Sequence, residues 1–78
     1  MTLKIISANE VVYEGTAKSV TLPGTMGQFT VLNHHAALVS TLTAGKITFT
    51  TEDDKLNSYT ISGGVVDVDN NVVSVCLY

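Results

Sequence analysis

The sequence predicts an all-β fold, and three observations carry that prediction. Valine, isoleucine and threonine fill 26 of the 78 positions, residue types that suit a pleated, half-buried surface and lose rotamer freedom in a helix. Apolar and polar residues alternate over short runs, whereas no window spaces its apolar residues at i, i+3, i+4 and i+7 between helix caps. Turn residues punctuate the chain about every eight positions, the rhythm of a β-sandwich or barrel of about nine to ten short strands.

Leu3 to Ser7 reads as the first strand, Ala8-Asn9-Glu10 as a tight turn, and Val11 to Glu14 as the second strand, closed by Gly15. Lys18 to Leu22 is the third, with Val20 and Leu22 on one face, and Pro23-Gly24 is expected to end it because proline lacks a ladder donor. Gln28 to Leu32 resumes an extended run with Phe29 and Val31 inward, and Asn33-His34-His35 breaks it. Ala37 to Leu42 follows, then a turn at Ala44-Gly45. Lys46 to Thr51 sets Ile47 and Phe49 against threonines, so one face is buried and the other wet. Glu52-Asp53-Asp54-Lys55 forms a charged hairpin tip before Asn57 to Ser62, which carries Tyr59 and Ile61 on one side. Gly63-Gly64 marks a bulge or a close backbone approach. Val65 to Val68 and Val72 to Tyr78 close the chain as a hairpin across Asp69-Asn70-Asn71, residue types that tolerate left-handed backbone. In the last strand Val73, Val75 and Leu77 share one face and Val72, Ser74, Cys76 and Tyr78 the other. Both faces are largely apolar, which predicts a central strand or one covered by a partner.

Size makes residues 1–78 a single domain. A domain this small hides only about 60% of its unfolded surface and is usually helped by a disulfide, a metal or a partner. One cysteine, Cys76, excludes an internal disulfide, and no zinc-type spacing of Cys and His occurs. A protein partner remains. Hydrophobic residues are 45% of the chain and charged ones 14%, so some apolar surface faces outward, as docking requires. The net charge of −3 and the absence of arginine argue against nucleic acid and anionic membranes. Ser19 to Gly45 is uncharged, but its glycines, proline, histidines and threonines rule out direct membrane insertion by that stretch. Met1 leads straight into a strand pattern without a signal segment, which predicts an unprocessed cytoplasmic chain.

Few residues suggest chemistry. His34 and His35 are neighbours on an extended chain and point to opposite sides, so they do not chelate one ion together. Cys76 lies among valines without a cationic neighbour, which predicts a small core hydrophobe rather than a redox thiol. Gly24-Thr25-Met26-Gly27 has the spacing of a nucleic-acid clamp loop without its helices or basic residues, and a plain turn is expected. Gly63-Gly64 fits neither a phosphate loop nor a dinucleotide fingerprint. No catalytic group, metal site, cofactor or small-molecule substrate is expected. Asp54-Lys55 at the hairpin tip is the one alternative, because lipoyl and biotinyl carrier domains are all-β and present a modifiable lysine, here Lys55, at such a tip. Those carriers place the lysine between two similar halves. Here it lies well past the midpoint.

Three blocks carry a family resemblance: Ser19-Val-Thr-Leu-Pro-Gly-Thr-Met-Gly-Gln-Phe-Thr-Val-Leu32, His35-Ala36 followed by Leu38, and Ile61-Ser-Gly-Gly-Val-Val-Asp-Val68. In order and spacing they resemble the epsilon subunit of F-type ATP synthase, whose mitochondrial homologue is called delta. The resemblance implies a flattened β-sandwich of ten strands, the N-terminal domain of that subunit. It also implies a non-catalytic rotor role in the central stalk, with the gamma subunit and the c ring as partners, on the cytoplasmic face of the bacterial inner membrane. Carried over residue by residue, Ser7, Val12, His35, Ala36, Val39 and Ser40 resemble positions facing gamma, and Thr25, Met26, Gly27 and Gln28 resemble the loop that meets the c ring. Two departures stand out. The family's usual His-Ala-Pro-Leu reads His35-Ala36-Ala37-Leu38, and Gln28 stands where an acidic residue is common. Family members commonly continue into a C-terminal helical hairpin used for inhibition and, in some, for binding ATP; no helical hairpin is expected within these 78 residues, so neither activity is implied.

Overall fold

A computed structural model describes residues 1–78, and every regular element in it is a strand. The strands are β1 (Thr2–Ser7), β2 (Glu10–Thr16), β3 (Ser19–Gly24), β4 (Gly27–Leu32), β5 (Leu38–Leu42), β6 (Gly45–Thr50), β7 (Leu56–Ile61), β8 (Gly64–Asp69) and β9 (Val72–Leu77). Hydrogen bonding runs β2-β1-β9-β8-β5-β3-β6-β7, with β4 on the free side of β3. Strands β5 and β3 meet through the single pair Gly24–Leu42. That seam folds the sheet into two layers, β2-β1-β9-β8-β5 and β4-β3-β6-β7, within a flattened body of 28 × 24 × 18 Å.

Alternation decides what the layers enclose. From the first layer come Leu3, Ile5, Val66, Val68, Val73 and Val75, and from the second Val20, Leu22, Val31, Ile47, Phe49 and Ile61, all buried. No polar or charged residue is buried with them. Ile47 and Phe49 are core, as their threonine neighbours predict. Gly64 explains the close approach read from Gly63-Gly64: a Cβ there would lie 2.5 Å from the Cys76 carbonyl oxygen. Asn70 and Asn71, at φ 49° and 62°, form the left-handed two-residue turn between β8 and β9.

Two expectations are corrected. Strand β3 continues through Pro23 and Gly24, which pair with Gln28 and Gly27. The reason is directional: N and O of one strand residue point to the same side, and the Pro23 carbonyl accepts the Thr43 N–H at 2.9 Å, away from β4. The missing donor therefore faces the side where pairing with β6 has already ended at Thr21, and costs no ladder bond. Cys76 is exposed rather than core. Because Val73 and Val75 point inward, parity turns Cys76 outward, and being central in its layer protects only the edges of β9.

Candidate functional site

One face of the molecule departs from the usual polar exterior. On β1, Leu3 and Ile5 are buried, so Ile6 is turned out, and its partner in β9 is Cys76. Cys76 in turn pairs with Val65 of β8. On the other side Ile6 pairs with Val11 of β2, because the register shifts between Ile5 and Ile6. That bulge takes up Val12 as an extra residue, so Val12 and Tyr13 both lean on the core and Val11, 53% exposed, is released outward. Val11, Ile6, Cys76 and Val65 thus form an apolar row across four strands. Val39 of β5, 72% exposed, lies on the same face, opposite Asp67. On the outer face of the second layer Thr30, Thr21, Thr48 and Ser58 line up, with the Thr21 and Thr30 hydroxyls 2.9 Å apart. The exposed Leu32 and Leu56 stand at the two ends of the neighbouring row.

The residues resembling gamma-facing positions are spread over this layer and one end of the body. Val39 faces outward, whereas Ser40, paired with buried Val66, points the other way and donates its hydroxyl to the Thr41 carbonyl at 3.0 Å. Val12 supports the face from behind. His35 and Ala36 lie in an exposed loop at the end where β8 turns into β9. That loop is tied down: the His34 N–H donates to Asn71 Oδ1 at 2.8 Å, the His35 N–H to the Leu32 carbonyl at 3.1 Å, and the His35 Nδ1–H to the Ala36 carbonyl at 2.8 Å. His34, His35, Ala37, Asp69, Asn70 and Asn71 border an open depression there. No three His, Cys, Asp or Glu side chains converge to hold a metal.

Thr25 to Gln28 occupy the opposite end, because β1 and β9 run parallel and their ends, with Ser7 at one of them, lie beside the ends of β3 and β5. Met26 at the tip is 99% exposed. Gly27, at φ 125°, opens β4 in a conformation that favours glycine, and Gln28 is exposed beside Pro23.

At the β6–β7 tip, Lys55 Nζ lies 3.7 Å from Asp53, Lys18 pairs with Asp54, and the Thr51 hydroxyl donates to Asp53. The Thr51 bond holds the Asp53 carboxyl below its ordinary pKa, and the Asp54 carboxylate raises that of Lys18. Asp54 itself has φ 65°. Asp53 and Asp54 thus each have a cationic partner, one from within the tip and one from the turn before β3.

Fold and surface together define a two-layer β-sandwich with an apolar row on one outer face and its loops gathered at two ends. The family model for the beta-sandwich domain of the ATP synthase delta/epsilon chain matches residues 1–77, and the chain belongs to that family. It is 47% identical over 73 residues to the ATP synthase epsilon chain of Sulfurimonas denitrificans, covering 94% of this chain and 56% of that one. To the epsilon chain of Rickettsia typhi it is 35% identical over 75 residues, covering 94% and 68%. The chain spans little more than half the length of the first of these relatives. Among solved structures, a chain in the Euglena gracilis mitochondrial ATP synthase assembly of OSCP, F1 and c-ring superposes with a TM-score of 0.90 at 26% identity, over 96% of this chain and 48% of that one. A chain of the Tetrahymena thermophila mitochondrial ATP synthase central stalk and c-ring shares the fold, with a TM-score of 0.80 at 12% identity over 97% and 61%. Membership in this family leaves the carrier reading of Lys55 without support. The apolar row was the part that sequence reasoning missed, although the two apolar faces of β9 signalled it.

Proposed function

We propose that the chain acts as a non-catalytic part of the ATP synthase central stalk, bound to gamma, in contact with the c ring and coupling ion translocation to ATP synthesis. The observation that carries this reading is the apolar row Val11, Ile6, Cys76 and Val65 on the outside of an otherwise well-ordered sandwich. Apolar surface of that kind marks a protein interface. Gamma covers this face, with Val39 within it, Ser7, Ser40, His35 and Ala36 at its margins and Val12 supporting it. The c ring meets Thr25, Met26, Gly27 and Gln28 at one end. Work is passed on because a close-packed interior yields little under load. The site of action is peripheral, at the cytoplasmic face of a bacterial inner membrane, and no helix here is long and apolar enough to cross one. Co-purification tests the reading: a tagged chain brings down gamma and the c ring from ATP synthase-rich membranes, and a chain recovered alone overturns it.

A further inference from the structure

Strand β5 belongs to the first layer, yet its last residues hold the loop that extends from the second. Pairing of β3 with β6 ends at Thr21, so beyond that point β3 pairs only with β4 and with the end of β5. Three bonds come from β5 and the residue after it. The Thr25 N–H donates to the Thr41 carbonyl at 3.0 Å, the Thr43 N–H donates to the Pro23 carbonyl at 2.9 Å, and the Thr25 and Thr41 hydroxyls pair at 2.7 Å. The first two fix the main chain. The third fixes the Thr25 side chain, next to the fully exposed Met26. Two residues before Thr41, the same strand presents Val39 on the outer face.

The geometry points to Thr41 as a positioning residue that sets the Thr25-Met26 tip for the c ring and ties it to the strand facing gamma. This rests on the proposed function and adds to it a side chain of β5, beside Val65, whose hydroxyl is engaged by the tip. The hydroxyl pair is exposed to water, so it contributes little to global stability. Its role is to order the tip before binding, since a contact that must first be ordered loses affinity.

Thr41→Val removes the hydroxyl and keeps the β-branched shape, and Thr41→Ser keeps the hydroxyl. With the complete chain and purified c ring in detergent, Thr41→Val is expected to weaken ring binding about two- to tenfold, the worth of one such bond. Thr41→Ser is expected to restore binding, while gamma affinity and the denaturation midpoint do not fall. Amide exchange at Thr25 speeds up in the valine variant and recovers in the serine variant. Ring binding by Thr41→Val equal to the parent's overturns the positioning role, as does a serine variant as weak as the valine one. A parent chain that does not bind the ring at all overturns the c-ring reading, and the positioning role falls with it.

Discussion

The Tyr13 ring of β2 lies 4.6 Å from the Phe49 ring of β6, tilted by 48°, so one contact joins the edge strand of one layer to the interior of the other. Phe49 is buried and Tyr13 packs against the core. Phe49→Ala empties that contact and is expected to cost about 3 to 5 kcal/mol. A chain this short holds about 4 to 12 kcal/mol in total, so the variant loses a large share of its stability and is barely folded at the lower end of that range. Urea denaturation checks it, and a midpoint equal to the parent's places Phe49 outside the core.

Much of this fold is legible because period-2 alternation is a local property. Ile47 and Phe49 against threonines, and Val73 and Val75 against Ser74, state their faces without any knowledge of the neighbours. What alternation does not reveal is which strands pair. The parallel pairing of β1 with β9 joins the two ends of the chain, and with it the row from Val11 to Val65 comes into being. Cys76 was misread because an apolar neighbourhood in sequence is not a covered face. Pro23 was misread because the rule against proline in a ladder depends on which side its nitrogen faces. The tip contact Thr25–Thr41 and the loop contact His34–Asn71 join residues 16 and 37 positions apart, a distance at which no local pattern speaks.

Gly64 has no room for a side chain. A Cβ would meet the Cys76 carbonyl oxygen at 2.5 Å, and that atom belongs to the ladder between β8 and β9 and does not swing aside. Gly64→Ala is therefore expected to destabilise the domain by about 1 to 3 kcal/mol, as overpacking does. Thermal unfolding measures it, and an unchanged midpoint shows that the hairpin adjusts freely.

The proposed docking face allows binding to be tested apart from folding. Val11 is exposed on an edge strand, and Ala36 is exposed in its loop, so Val11→Glu and Ala36→Glu leave the isolated chain folded. On docking each buries a charge without a partner. Gamma affinity in a titration is expected to fall by tenfold or more, on the scale of about 1.4 kcal/mol per tenfold. Affinities equal to the parent's remove that position from the interface.

The β6–β7 tip responds to pH through two groups of opposite sign. Asp53 has its carboxyl pKa lowered below 3.8 by the Thr51 hydroxyl, so what it contributes is present above 3.8 and is lost as pH falls through the lowered value. Lys18 has its pKa raised above 10.5 by Asp54, so its contribution is present below 10.5 and is lost as pH rises through the raised value. Neither of these two shifts places a transition near neutral pH. Both groups are exposed, so salt weakens the effect. Amide shifts of Thr51 to Lys55 are expected to move only in strong acid and strong base, and a transition near neutral pH contradicts the assignment.

Asn71 does two things at once, and the two can be pulled apart. Its φ of 62° is one that glycine adopts freely, and its Oδ1 accepts the His34 N–H at 2.8 Å, anchoring the loop that carries His35 and Ala36. Asn71→Gly relieves the backbone but releases the loop. Asn70→Gly, at φ 49°, relieves the backbone and leaves the Asn71 bond in place. The bond is exposed, so water replaces Oδ1 and the loss is about 0.5 to 1.5 kcal/mol, close to what a better turn residue returns. Asn71→Gly is therefore expected to leave the unfolding midpoint nearly unchanged while the His34 amide exchanges faster, whereas Asn70→Gly keeps His34 protected. If gamma docks on this loop, Asn71→Gly also weakens gamma binding and Asn70→Gly does not, because only the first requires the loop to be ordered on contact. Equal His34 exchange in the two variants shows that the turn does not hold the loop.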